Sequence, residues 1–271
     1  MNNQHPRILV VGAGSPNADF VASVLQRSGM DAEWTDNLRK PNPFLIRRFD
    51  LIYGIYLQSC ARSVLAAKLL RKKTIIHFVG SDAYWLHREK SIYRRLFWGI
   101  VLHANDFVFY VSPHLERLVG CHGTVLPFPI EKYQFTRLPE RQPERDILYY
   151  CPSGSKNEEI YRLDWILQYA REHPREKVTI LGNLEHPANY PITQPNVEVI
   201  PNVPQSEMPA IYAQHRTLIR MTTEDGLPRM VHEALLCGLN VIFNGEAIME
   251  IPKERDPNEF AKSFRKAIGL L

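Results

Sequence analysis

Apolar residues fall in short bursts separated by amphipathic stretches. Arg7–Val11 is an apolar run that ends in Gly12-Ala13-Gly14-Ser15-Pro16-Asn17. A helical pattern follows, with Phe20, Val21, Val24 and Leu25 on one face and a stop at Gly29. Strand, glycine turn and helix open a βαβ unit. The alternation continues with strands over Asp50–Tyr56, Thr74–Val79, Asp106–Ser112 and Gly123–Pro127. Helical patterns over Ser59–Arg71, Glu89–His103 and Pro113–Val119 lie between them. Strands that are apolar throughout, alternating with helices, predict a parallel sheet covered on both faces.

The rhythm breaks over residues 128–145 (FPIEKYQFTRLPERQPER), which are rich in proline and charge and have no period. It then restarts. Strands are predicted over Ile147–Cys151, Lys177–Leu181, Val197–Ile200, Thr217–Met221 and Asn240–Phe243. Helices are predicted over Glu158–Glu172, Ser206–Gln214, Pro228–Cys237 and Pro257–Ile268. The expected architecture is α/β, with two Rossmann-like parallel-sheet domains, residues 1–138 and 139–271, facing each other across a cleft. Ligands of open α/β sheets bind outside the carboxyl ends of the strands.

The 271 residues suffice for two such domains, and 45% hydrophobic with 23% charged residues is ordinary for a globular protein. Charge adds an asymmetry. Residues 1–140 hold 18 Lys and Arg against 11 Asp and Glu, and the remainder holds 15 against 18. A basic first half suits phosphates, an anionic acceptor or a membrane surface. Cys60, Cys121, Cys151 and Cys237 form no CxxC pair and read as buried reduced thiols. The N-terminus enters a strand with no leader-like apolar stretch before it, and no run reaches the ~20 apolar residues of a membrane span. A cytoplasmic protein is expected, with room for peripheral contact with a membrane.

The segment richest in chemistry is Thr222–Gly238, TTEDGLPRMVHEALLCG, between two predicted strands. Pro228 suits a first helical turn and Gly238 a helix stop. The first helical N–H groups, near Arg229 and Met230, face whatever lies above the strand end and favour an anion. Glu233, on the second turn, can accept two hydrogen bonds from a vicinal diol such as that of a ribose. By themselves these residues also fit a plainer reading, in which Asp225 caps the helix and Glu233 pairs with Arg229.

Asp225 and Glu233, with seven residues between them, followed by Ala234-Leu235-Leu236-Cys237-Gly238 and the strand Asn240-Val241-Ile242, resemble the acidic-x7-Glu signature of the family 4 retaining GT-B glycosyltransferases. Gly80-Ser81-Asp82, Tyr110-Val111-Ser112 and Val125-Leu126-Pro127 agree with that family in order and context. The resemblance implies a nucleotide-sugar donor, retention at the anomeric carbon, and no metal or other cofactor. It places Glu233 on the donor ribose. It sets Asp225, Gly226, Leu227 and the Pro228 helix end against the sugar or diphosphate, and Asp82 beside an acceptor hydroxyl.

The resemblance departs from the family at two places. Asp225 stands where Glu is commoner, and residues 151–157 (CPSGSKN) lack the usual early Arg and Lys. Lys156, then Arg162 and Arg220, are the candidates to neutralise a diphosphate. Gly12 and Gly14 form a weak dinucleotide fingerprint without a third glycine in place. In a GT-B protein their loop would face donor phosphates or the acceptor. His77, two residues before the position where the family often has His, reads as a core residue.

The basic and aromatic residues Trp85, Arg88, Lys90, Tyr93, Arg94, Arg95, Phe97 and Trp98 suit either anionic lipid headgroups or an ordinary packed helix. No nucleic-acid module is present. The leading expectation is a transferase with a glycan, lipid-linked or small-molecule acceptor. A non-catalytic sugar-nucleotide-binding subunit is the alternative, and a nicotinamide oxidoreductase ranks last.

Overall fold

The computed structural model describes residues 6–12, 16–36, 41–131, 135, 143–152, 154–184, 187–226 and 228–270, with backbone alone at 16 and 254. The chain forms two compact α/β units. The first comprises Met1–Ile130, Asp225–Leu227 and Pro252–Leu271, and the second Glu131–Glu224 and Pro228–Ile251.

The first unit runs β1 (Ile8–Val11), α1 (Pro16–Arg27), β2 (Ala32–Thr35), α2 (Pro43–Arg47), β3 (Leu51–Ile55), α3 (Leu57–Leu69) and β4 (Lys73–Phe78). It continues with α4 (Ser81–Arg88), α5 (Ile92–Ala104), β5 (Phe107–Tyr110), α6 (Pro113–Val119) and β6 (Thr124–Val125). The strands lie in the order β2-β1-β3-β4-β5-β6, all parallel. The chain leaves β1 for one edge and returns to β3 on the other side, so the topological switch point lies between β1 and β3.

The second unit contains β7 (Arg145–Tyr150), α7 (Ser155–Ile160), α8 (Leu163–Glu172), β8 (Val178–Leu181), β9 (Val197–Ile200), α9 (Met208–Ala213), β10 (His215–Arg220) and α10 (Arg229–Leu236). The hairpin of β11 (Asn240–Phe243) and β12 (Glu246–Ala247) completes its sheet, in the order β12-β11-β10-β7-β8-β9. Among the described residues only the β11–β12 pair is antiparallel. The switch point lies between β7 and β10. Both units are Rossmann-like, as the alternating pattern predicts.

The tail departs from the expected boundary of 139–271. After a 3-10 turn at Lys253–Arg255, α11 (Pro257–Ala267) buries Phe260, Ala261 and Phe264 in the core of the first unit. Phe264 stacks on Tyr53 of β3 with ring centroids 5.4 Å apart. The buried Arg255 donates to the Phe128 carbonyl at 3.0 Å, and its own carbonyl accepts from Ile130 N–H at 2.7 Å. The apolar face of α11 is thus completed by the first sheet.

One expected helix starts late and another is broken. Glu89–His103 becomes α5, which begins only at Ile92, with Glu89 Oε1 accepting from Ser91 N–H just before it at 3.0 Å. Glu158–Glu172 breaks at Tyr161 and Arg162, where Arg162 takes a left-handed φ of 48°. The hydroxyl of Tyr149 donates to the carbonyls of both residues, at 2.6 and 3.2 Å, and the Arg162 carbonyl also accepts from Ile166 N–H at 3.4 Å as the next helix begins. Strand β2 (AEWT) escaped the pattern because, on the edge of the sheet, only Ala32 is buried.

Candidate functional site

The residues picked out by the sequence divide between two places. In the first unit, the carboxyl ends of β4 and β5 meet Asp225 and Gly226, although Glu224 and Pro228 belong to the second unit. Gly80 has a φ of 151°, and a Cβ there would lie 2.9 Å from Gly226 N and 3.3 Å from Asp225 Oδ1. A Cβ on Gly226 would in turn lie 2.9 Å from Val111 Cγ2 and 3.0 Å from the Val79 carbonyl oxygen. Two glycines therefore let two loops touch through their backbones. Leu227, paired with Gly226 in the sequence reading, lies outside the described residues.

Asp225 sits near Tyr84 and His114. His114 Nδ1 is 3.0 Å from Ser112 Oγ, and its Nε2 is 3.5 Å from the Tyr84 hydroxyl. Burial pulls the imidazole of His114 below its ordinary pKa; Arg117 adds to that pull and Asp225 opposes it. Burial first, then Asp225, raises the Tyr84 phenol. Neither Tyr84 nor His114 was singled out from the sequence. The signal for His114 was its place in the first turn after Ser112-Pro113, at a strand end.

Asp82 is close by but has another task. Its Oδ1 accepts from Val79, Gly80 and Ala83 N–H at 3.0, 3.0 and 3.1 Å, and its Oδ2 accepts from Leu57 N–H at 3.1 Å. The residue is 1% exposed. Burial raises its carboxyl above the ordinary value, and the four amide donors oppose that rise. A carboxylate so buried and so used on backbone amides shapes the loop after β4.

Gly12 also has a local explanation. A Cβ there would stand 2.7 Å from the Cβ of Ala18, so the glycine lets α1 close onto β1. Gly14 lies outside the described residues. His77 is a core residue, as expected. It is fully buried, its Nδ1 is 2.6 Å from the Tyr53 hydroxyl, and burial lowers its pKa to about 3.

In the second unit, α10 rises from the carboxyl end of β10 beside the switch point. Its N-cap is Pro228, whose side chain accepts no capping bond. Glu233 is buried within the unit. Its Oε1 accepts from Gln205 Nε2 at 2.9 Å and its Oε2 from the Tyr212 hydroxyl at 3.3 Å. Gln205 is itself exposed, and its Oε1 is 3.5 Å from Arg229 Nη2. A buried phenol and a surface amide are thus among the partners of the Glu233 carboxylate.

The three cations proposed for an anion are not equivalent. Arg220 ends β10 at the switch point, 3% exposed. Its guanidinium lies between the rings of Tyr150 and Tyr161, 4.7 and 4.8 Å from their centroids, and its Nη1 is 3.1 Å from the Met230 sulfur. Lys156 is exposed on the first turn of α7. Arg162 makes two 3.1 Å bonds to Asp164, which commits it locally. One carboxylate passed unremarked in the sequence: buried Glu158 accepts from Ala188 and Asn189 N–H at 2.9 and 2.8 Å and fixes the loop beyond β8. Of the four thiols, Cys60, Cys151 and Cys237 are buried, while Cys121 is partly exposed.

Two Rossmann-like parallel-sheet units, each with its loops gathered at the carboxyl ends of the strands, define an α/β protein of the GT-B fold class. No protein-family model matches the sequence. No curated protein matches it either. Among solved structures the chain is similar to sucrose-phosphate synthase from Thermosynechococcus elongatus, at 11% identity and a TM-score of 0.62, over 97% of this chain and 90% of that one. It is similar to Anabaena HepE in complex with UDP-glucose, at 14% identity and a TM-score of 0.59, again over 97% and 90%. It is also similar to a UDP-N-acetylglucosamine 2-epimerase from Rickettsia bellii, at 9% identity and a TM-score of 0.54, over 96% and 87%. The likeness is one of fold, and the fold is shared by proteins named for different reactions.

Proposed function

We propose that the chain is a retaining glycosyltransferase, related to family 4, that moves a sugar from a nucleotide-sugar donor to a glycan, lipid-linked or small-molecule acceptor. The observation that carries this reading is the state of Glu233. Its buried carboxylate is oriented by Tyr212, and its other oxygen is held by an exposed glutamine. A ribose diol offers two O–H donors, so one of them can take the place of Gln205 Nε2 without uncovering a buried charge. HepE, solved with UDP-glucose, lends support to a donor of that class.

In this reading the diphosphate meets the first N–H groups of α10, with Arg220 as a fixed buried cation and Lys156 as a mobile surface one. Pro228 begins that helix without removing a needed donor. Asp225 and Gly226 face the transferred sugar. The preorganised amides and cations stabilise charge as the diphosphate leaves, with no metal required. Asp82 acts by shaping the loop around Gly80, not by touching the acceptor.

The test is donor binding by titration calorimetry, followed by transfer and slow donor hydrolysis. Glu233→Gln keeps the volume and removes the charge, and binding should weaken by tenfold or more, the scale of a lost charge-assisted bond. Unchanged affinity would sink the assignment. A second reading, binding without turnover, is favoured by one observation: Arg162 is spent on Asp164. Donor binding with neither transfer nor hydrolysis would establish it. Configuration at the anomeric carbon of the product separates retention from inversion.

A further inference from the structure

Helix α5 is apolar on both of its faces. Val101 and Leu102 are buried in the core of the first unit. On the other side, Ile92, Leu96 and Ile100 recur every four residues, with Tyr93 and Phe97 one position on, so the five share one face. They are exposed by 66%, 62%, 64%, 82% and 39%, respectively. Such a stripe presents roughly 600 Å² of apolar surface, at the upper end of what a soluble monomer leaves uncovered. A helix with apolar residues on two opposite sides calls for a second covering.

The surroundings say what kind. Residues 85–103 carry Arg88, Lys90, Arg94 and Arg95 against a single acid, Glu89, which is largely buried and lies 3.5 Å from Arg94. Beside the stripe is a cavity of about 720 Å³ whose walls include Arg62, Trp85, Tyr93, Arg94, Phe97 and Trp98. Trp98 meets Trp85 and Phe97 edge to face, at 5.3 and 4.9 Å. Tyr93 and Phe97 thus belong to both the stripe and the cavity. Apolar side chains flanked by cations match an anionic lipid surface, where acyl chains accept the former and headgroup phosphates the latter. A second copy of this chain is a poorer match, because two-fold pairing would oppose like charges.

We propose that the exposed face of α5 is a docking surface for an anionic phospholipid bilayer, with the neighbouring aromatic cavity open to the lipid. This does not rest on the donor assignment: vesicle binding and donor binding are read separately. The experiment is co-sedimentation of the full chain with vesicles of phosphatidylcholine, alone or with an equal part of phosphatidylglycerol. The wild-type protein should sediment with the anionic vesicles, far less with the neutral ones, and less as salt rises. Leu96→Glu/Ile100→Glu changes exposed positions only, so the unfolding midpoint should hold while the partition coefficient falls at least tenfold. Lys90→Gln/Arg95→Gln should lower it by about fivefold for each cation removed. Three results would overturn the proposal. One is failure of the wild-type protein to sediment with anionic vesicles. Another is equal sedimentation by Leu96→Glu/Ile100→Glu. The third is a dimer in ultracentrifugation that this variant abolishes, without vesicle binding.

Discussion

Asp82 and His77 show how differently a buried titratable group can be settled. Asp82 accepts from four backbone amides around the Gly80 turn, which oppose the rise that burial imposes on its carboxyl. Asp82→Asn replaces one acceptor oxygen with a donor that faces an N–H. We expect it to lower stability by about 1–3 kcal/mol, read as a lower urea midpoint. Unchanged stability with lost transfer would instead make Asp82 a reacting group. His77 is held neutral by burial, its pKa lowered to about 3. An imidazole of ordinary pKa in the unfolded chain takes up a proton first as pH falls below about 6.5. This group's contribution is therefore intact above that pH and declines below it, by up to about 1.4 kcal/mol per pH unit until the folded form also titrates. Removing both partners with Tyr53→Phe/His77→Leu should flatten the stability profile between pH 6.5 and 4.5 by about that slope. His114 and His215, also lowered by burial, should retain their share.

Most elements were readable in the sequence because buried parallel strands are apolar throughout, and β11 appears where Asn240–Phe243 predicts it. What could not be read depends on partners distant in sequence. The break at Arg162 sits against the Tyr149 hydroxyl, and the glycines at 80 and 226 pack against each other's loops. The Asp225–Glu233 spacing pointed to a site, but it could not show that Glu233 would be held by Gln205 and Tyr212 or that Asp225 would keep company with His114. Helix α11 carried a readable start: Asp256 before Pro257 caps it by accepting from Asn258 and Glu259 N–H at 3.0 and 3.4 Å. Asp256→Ala should cost about 1 kcal/mol. Because Phe260 and Phe264 belong to the first core, the loss should speed hydrogen exchange in β3 and leave β7 unaffected. Exchange rising in β7 instead would contradict the assignment of the tail to the first unit.

At the scale of the whole molecule, the chain joins two Rossmann-like units with different duties. The first is basic, carries the Asp225–His114–Tyr84 group at its strand ends and presents the apolar face of α5. Among the described residues no helix is long and apolar enough to cross a membrane, so α5 would act at a surface and not across it. The second holds Glu233 and Arg220 at its switch point and is where the donor is proposed to bind. The most direct test of that proposal is a thermal-shift screen of UDP-, GDP-, ADP- and CMP-sugars against the wild-type chain and Glu233→Gln. A ligand bound only by the folded state raises the midpoint in proportion to its affinity. We predict that one nucleotide class stabilises the wild-type protein and that its shift shrinks or vanishes in the variant. No shift with any of the four, or an equal shift in both proteins, would contradict it.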